Sequence, residues 1–404
     1  MNKINQICSE LRYKNRSLYI EGISLKSLVR KTPTPFYCYS ISEIEKNYRN
    51  FKKNTSKLDP LICYALKANF NSQIVTKLGD LGAGADVVSI GELRVALKNG
   101  INPKKIVFSG VGKTAEEIKF ALKKNILQIN IESFEELVEI EQIAKDLGKS
   151  NVNVSVRVNP DVDAKTHDKI STGRVEDKFG VSISQTKEIL LRRRQFQNIR
   201  INGLAIHIGS QITSLQPFKN AFKKIRKLIT FFESQSIKIS NLDLGGGIGI
   251  NYSYNKQIDL KDYTKLVEEN FKNFDLNIIF EPGRSIIGSS GILITKIIRI
   301  KKGLRKKFVI IDAGMNNLIR PSLYDAYHLI VPIKLNNESQ SSYDFVGPIC
   351  ESSDVFGRGR KINKLSAGDF VAICSTGAYG SCMSSMYNCR GITPEIFVKD
   401  SKII

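Results

Sequence analysis

The chain has 404 residues, of which 42% are hydrophobic, including 20 Phe and 14 Tyr. That is enough for two or three domains with sizeable cores, and it excludes wholesale disorder. Sixty-one basic against 39 acidic residues give a net charge of +22, and seven cysteines without a CxxC pair fit neither a disulfide framework nor a zinc ribbon.

The N-terminus, MNKINQICSELRYKN, lacks the apolar core of a signal peptide, and no run of about 18 apolar residues occurs anywhere. A soluble protein of a reduced cytoplasm is therefore expected, with no metal site. In the first 35 residues RSLYIEGISL (16–25) is strand-like. From residue 62 onward eight short β-branched runs recur: ICYAL (62–66), ADVVS (85–89), KIVFSG (105–110), LQINIE (127–132), VNVSVRVN (152–159), GLAIHIG (203–209), NLDLGGG (241–247) and NIIFEPG (277–283). Helix-periodic segments lie between them, such as GELRVALKNG (91–100), TAEEIKFALKKN (114–125) and FEELVEIEQIAKDLG (134–148). Eight strand–helix units over roughly 220 residues match a (β/α)8 barrel of the TIM type. An open doubly wound sheet would need an early nucleotide-type glycine loop, which is absent.

Past residue 285 the pattern changes to short strands and turns, as in ILITKIIRIKKG (292–303), KFVIIDAG (307–314), AYHLIVPIKLN (326–336), SYDFVGPIC (342–350) and DFVAICSTGAYG (369–380). The expected organisation is α/β: an N-terminal segment 1–35, a barrel over 36–285, and an all-β domain over 286–404 that also receives the N-terminal segment. Basic clusters at LRRR (191–194), KKIRK (223–227) and KKGLRKK (301–307) are scattered and lack interleaved aromatics. They read as a solvated surface that attracts anions, and a nucleic-acid partner is not expected.

One stretch raises a chemical question. ICYALKAN (62–69) ends a buried strand on Lys67. A buried, unpaired ammonium costs several kcal/mol or loses its proton, and a deprotonated lysine attacks carbonyls to form a Schiff base. Taken alone, the stretch better suits a lysine whose head simply reaches water. The other strand ends change the balance. His207 follows the sixth run, Gly245, Gly246 and Gly247 the seventh, and Glu281, Pro282, Gly283 and Arg284 the eighth. In a (β/α)8 barrel these ends form the active site. Glycine backbone N–H groups with Ser210 suit a phosphate. His207 offers a flat ring to stack, and Glu281 can keep a pyridine nitrogen protonated. Together they describe a site for pyridoxal 5′-phosphate.

The motifs ADVVSIGEL (85–93), HDKISTG…KFG (167–180), HIGSQI (207–212), GGGIG (245–249), EPGRSI (281–286), RPSLYDAYH (320–328), CESSD (350–354) and GAYG (377–380) resemble, in order, those of the diaminopimelate decarboxylase family. This family belongs to the alanine-racemase-like group of pyridoxal-phosphate-dependent decarboxylases. The resemblance spans about residues 35–395. It implies a lyase of lysine biosynthesis that works as a homodimer with shared active sites. Lys67 would carry the cofactor, with His207 stacked on it, Ser210, Gly245–Gly247 and the EPGR backbone near its phosphate, and Glu281 at its pyridine nitrogen. Arg284, Arg320 and Tyr324 would hold the substrate, and Tyr379 would touch cofactor and substrate. From the neighbouring chain, Cys350 would donate a proton and Glu351 would bind substrate. Arginine forks suit the carboxylates of such a substrate, and a glutamate suits its remaining ammonium. Related decarboxylases of ornithine, arginine or carboxynorspermidine are the nearest alternative, and a non-catalytic regulatory homologue is another. The segment CMSSMYNCRGITPEIFV (382–398) departs from the family pattern at Cys382, Cys389 and after Arg390, which predicts altered packing near Tyr379.

Overall fold

The computed structural model describes residues 3–254 and 257–404. The chain divides into two compact units. One comprises Tyr48–Gly249 and Gln257–Gly283, the other Met1–Asn47, Ile250–Lys256 and Arg284–Ile404.

The first unit is a closed barrel of eight parallel strands that follow one another around the ring in chain order. They are β1 (Leu61–Ala65), β2 (Gly84–Val87), β3 (Ile106–Phe108), β4 (Gln128–Ile131), β5 (Val152–Arg157), β6 (Ile199–Ala205), β7 (Asn241–Asp243) and β8 (Asn277–Phe280). All eight runs expected from the sequence are present, and β8 closes on β1 through Ile279 and Phe280 opposite Leu61 and Ile62. Strand-to-helix turns are fixed by side-chain caps. Ser89 accepts from Glu92 N at 3.2 Å, and Ser133 from Glu136 N at 3.1 Å. Thr114 and Ser182 build full capping boxes with Glu117 and Gln185. Each satisfies amides that a helix start otherwise leaves open. Helix Gln216–Ser234 buries Phe218, Phe222, Ile225, Ile229 and Phe232 along one face, a spacing that gives a helix its apolar stripe.

The second unit is β-rich. Its main sheet runs in the order Val355–Asn363, Gln340–Val346, Lys307–Ile311, Gly291–Lys302, Phe36–Ser40, Glu395–Lys399 and Lys402–Ile403. Strand Phe370–Ile373 also pairs with Gly291–Lys302, and Ile330–Pro332 with Phe370–Ile373. The N-terminal residues Ile4, Ile7, Leu11, Leu18 and Leu25 are buried in one cluster with Ile292, Ile294, Ala372, Cys374 and Val398.

The expected boundaries at 35/36 and 285/286 differ from those of the compact units. Phe36–Ser40 is not a barrel element. It lies antiparallel to Gly291–Ile294 on one side and parallel to Glu395–Val398 on the other. All five of its residues are buried, and a short apolar run carries no mark of which sheet it will join. The strands Val355–Asn363 and Glu395–Lys399 were not expected. In the former, two glycines and three basic residues hide the alternation.

Candidate active site

The chemically distinctive residues of the barrel unit stand at the carboxyl ends of its strands. Lys67 lies in the 3-10 turn Leu66–Ala68 that follows β1. Its Nζ is 2.5 Å from Oδ2 of Asp86, and the two side chains are 32% and 0% exposed. The sequence paradox is thereby resolved: the ammonium is neither stranded nor fully solvated, because a buried carboxylate on the neighbouring strand holds it. Among the described residues, buried Oδ1 of Asp86 has no hydrogen-bond partner, so this carboxylate keeps capacity for a further donor.

The loops after β6 and β7 are fastened together. Ile212 N donates to Gly247 O, and Gly249 N to Ile212 O, both at 2.9 Å. Gly246 N donates to His207 Nδ1 at 3.2 Å, so that ring nitrogen is an acceptor. Burial, then the charges of Lys67 and Arg157, hold the His207 imidazole well below its usual pKa and hence neutral. The triple glycine is a steric requirement. A β-carbon on Gly245 would lie 2.3 Å from Ile206 O, one on Gly246 2.3 Å from Glu281 O, and one on Gly247 2.5 Å from Gly209 O. Gly245 and Gly247 also have φ of +63° and +103°, which favours glycine. Ser210 is half-buried, and its amide donates to Ile170 O at 3.2 Å.

Glu281, just past β8, is buried. Burial and then the negative charges of Asp243 and Asp86 push its pKa well up. Asp243 itself is raised to about 6, chiefly by burial. Pro282 O accepts from Ala65 N at 3.2 Å, and a β-carbon on Gly283 would lie 3.0 Å from the Ala68 β-carbon. The EPG turn thus packs on the residues flanking Lys67. Glu132 accepts from Arg157 Nη1 at 2.7 Å and from the amides of Gly180 and Gly110 at 2.7 and 3.2 Å.

A second constellation belongs to the β-rich unit. Tyr252 is buried, and its hydroxyl accepts from Arg284 Nη1 at 2.7 Å and from Arg320 Nη1 at 2.9 Å. Burial opposes the phenolate, but the two guanidinium charges outweigh it and lower the Tyr252 pKa. His328 Nδ1 donates to Cys374 O at 2.8 Å, which leaves Nε2, 2.9 Å from Arg320 Nη1, as the acceptor. Arg284 also stacks over the Tyr379 ring at 4.8 Å. Tyr324 is half-buried at the end of the short helix Arg320–Tyr324. Cys350 and Glu351 lie in an exposed turn, where Glu351 accepts from Tyr387 at 2.7 Å and from Ser353 at 3.0 Å.

The expected residues therefore fall into groups. Lys67, His207, Ser210, Gly245–Gly247, Glu281, Pro282 and Gly283 belong to the barrel, while Arg284, Arg320 and Tyr379 gather in the β-rich unit around Tyr252. Sequence reasoning missed Asp86, Asp243, Tyr252, Glu132 and Arg157. Asp86 and Asp243 carried a signal, each being an acid inside a β-branched run. Tyr252 carried none.

The donor set fits pyridoxal phosphate. It comprises an amine for the aldehyde, a glycine cradle for the phosphate, a neutral ring, and a carboxyl group for the pyridine nitrogen. Among the described residues no group of three or more His, Cys, Asp or Glu could hold a metal ion, and no helix is long and apolar enough to cross a membrane.

Comparison with known proteins agrees with this chemistry. The family described as pyridoxal-dependent decarboxylase, pyridoxal binding domain, matches residues 41–288. The chain belongs to the pyridoxal-dependent decarboxylases. Within them it groups with the diaminopimelate decarboxylases: it is 43% identical to that of Aquifex aeolicus over 97% of this chain and 93% of the relative. It is 46% identical to that of Helicobacter pylori strain J99 over 94% and 93%. The crystal structure of the H. pylori enzyme complexed with L-lysine superposes with TM-score 0.90 at 45% identity, covering 94% of this chain and 95% of that one. The M. jannaschii enzyme in co-complex with L-lysine gives 0.94 at 37%, covering 98% and 94%.

Proposed function

We propose that the chain converts meso-2,6-diaminopimelate to L-lysine and carbon dioxide, the last step of lysine biosynthesis, with pyridoxal phosphate as cofactor. The observation that carries this reading is the convergence of Lys67, His207, the Gly245–Gly247 loop and Glu281 on the ends of β1, β6, β7 and β8 of one barrel. Similarity to relatives named for this activity supports the choice of substrate.

Lys67 would be the amine that holds the cofactor. The glycine loop, Ser210 and the backbone of EPGR would receive the phosphate, and the neutral His207 ring would stack on the cofactor ring. Glu281 would face the pyridine nitrogen. Bound there, pyridoxal phosphate supplies an electron sink for the pair left behind when carbon dioxide departs. Arg284 and Arg320, paired through Tyr252, receive carboxylates, with Tyr324 and Tyr379 beside the substrate. The protein works as a cytoplasmic homodimer in which Cys350 and Glu351 serve the neighbouring chain's site: the thiol protonates the carbon that lost its carboxylate, and the glutamate takes the distal ammonium. Their exposure in a single chain supports this arrangement. Nucleic acid plays no part. The basic clusters lie on three separate segments.

The test is incubation of the purified protein and pyridoxal phosphate with meso-diaminopimelate or ornithine, scoring carbon dioxide and product. Stoichiometric L-lysine from the former and little turnover of the latter are expected. The reverse preference overturns the substrate assignment.

A further inference from the structure

Barrel interiors of this type are ordinarily filled by layers of branched apolar side chains. Here a relay of buried polar groups crosses the interior. Asn241 Nδ2 donates to Gln128 Oε1 at 3.1 Å, and Gln128 Nε2 donates to Asn130 Oδ1 at 2.9 Å. With its oxygen so occupied, Asn130 must turn its Nδ2 outward. That nitrogen donates to Asp243 Oδ2 and to Ser109 Oγ, both at 3.1 Å. Ser109 Oγ in turn donates to Glu281 Oε1 at 3.4 Å. Asp243 Oδ1 accepts from Gly245 N at 2.9 Å. The last residue of β7 is therefore fastened to the glycine loop and, through Asn130 and Ser109, linked to the carboxyl group of Glu281.

The amides dictate the protonation pattern. Both Asp243 oxygens accept from N–H donors, so Asp243 is held as an acceptor, while burial and then the charge of Asp243 favour the protonated form of Glu281. Burying such an amide chain is justified only if every member is satisfied, and its members end on these two acids. We infer that Asp243 is a positioning residue that acts through Glu281 to keep the cofactor's pyridine nitrogen protonated. This inference rests on the functional reading above. A carboxylate and a pyridine nitrogen share one proton, and they titrate as a pair. A second negative charge buried beside the pair raises its affinity for that proton.

The other groups around Glu281 are accounted for. Asp86 on β2 acts in the same direction as Asp243, and Lys67 after β1 opposes it. Cys63 on β1 and Tyr263 of helix Leu260–Phe271 are kept neutral by burial, as is His207 after β6. Arg157 is paired with Glu132.

The holoenzyme and its Asp243→Asn variant would be loaded with pyridoxal phosphate labelled with 15N in the ring, and the nitrogen shift followed from pH 6 to 10. The inference expects the wild-type nitrogen to stay protonated to a pH at least one unit higher than in the variant, with the alkaline limb of kcat displaced equally. A merely structural role would lower kcat without moving either titration, and that result overturns the inference. A second measurement needs no variant of Asp243. In the cofactor-free wild-type chain, the 13C carboxyl signal of Glu281, assigned with Glu281→Gln, should titrate in two coupled steps, the upper one above the free glutamate range. One uncoupled step overturns the inference even if turnover is intact. If no chain binds pyridoxal phosphate, the functional reading falls and this inference with it, and the carboxyl titration then reports only whether the two acids are coupled.

Discussion

Gly246→Ala isolates the steric demand of the glycine loop. The added carbon would lie 2.3 Å from the Glu281 carbonyl oxygen and 3.1 Å from its carbonyl carbon. A tolerable C···O approach is about 3.3 Å, so the two segments must separate by roughly 1 Å. They are pinned at the same place, because Glu281 N donates to Gly245 O at 2.7 Å. Overpacking of this kind costs about 1–3 kcal/mol, and loss of the pinning bond adds about 1 kcal/mol. For a unit of this size that corresponds to a fall in Tm of roughly 4–16 °C. The same displacement moves Glu281, so affinity for pyridoxal phosphate should fall at least tenfold. Thermal melts of the cofactor-free chain and a cofactor titration read the two effects separately. The sign is diagnostic, since an unstrained Gly→Ala change stabilises by about 0.4–1 kcal/mol through the unfolded chain. An unchanged or raised Tm refutes the close approach.

Lys67→Ala should remove the visible absorbance of the bound cofactor and nearly all turnover, and borohydride reduction of the wild type followed by peptide mapping should find the cofactor on Lys67 alone. Glu132→Gln should destabilise the barrel by about 3–5 kcal/mol in a denaturant melt, because it strands the buried guanidinium of Arg157; a loss below about 1 kcal/mol would show that water reaches the pair. Tyr252→Phe removes the hydroxyl shared by Arg284 and Arg320, so KM for diaminopimelate should rise severalfold with a smaller effect on kcat, and an unchanged KM would detach Tyr252 from substrate binding. Inactive Lys67→Ala and Cys350→Ala chains, mixed under conditions of proven subunit exchange, should recover roughly a quarter of wild-type activity if each site uses both chains, whereas no recovery would mean that each chain completes its own site.

The barrel was legible because its strands are short apolar runs separated by strongly periodic helices, and because residues that serve no core purpose recur at strand ends. Lys67, His207, the triple glycine and Glu281 all stood out in this way. What stayed hidden is what depends on pairing between distant segments. Phe36–Ser40 reads as any buried strand, and only its partners at Gly291–Ile294 and Glu395–Val398 assign it. Asp86 and Asp243 sit inside strand runs, where a carboxylate looks like an exposed edge position until the closed barrel turns it inward beside Lys67 or Glu281. Tyr252 becomes informative only when two arginines from separate segments converge on its hydroxyl.

The order of the main β-sheet has a consequence for synthesis. Phe36–Ser40 emerges from the ribosome early, yet its two neighbours begin about 255 and 359 residues after Phe36 in the chain. At about 5–20 residues per second, the second neighbour arrives tens of seconds after the first strand. The barrel segments are complete by Gly283, so the barrel can fold during translation while this apolar strand still waits for partners. In that interval both its edges are open to pairing with other nascent chains. A chain cut short before Glu395 would keep the whole barrel and still leave one edge of Phe36–Ser40 uncovered, so its fate would be set by aggregation and not by loss of catalytic groups.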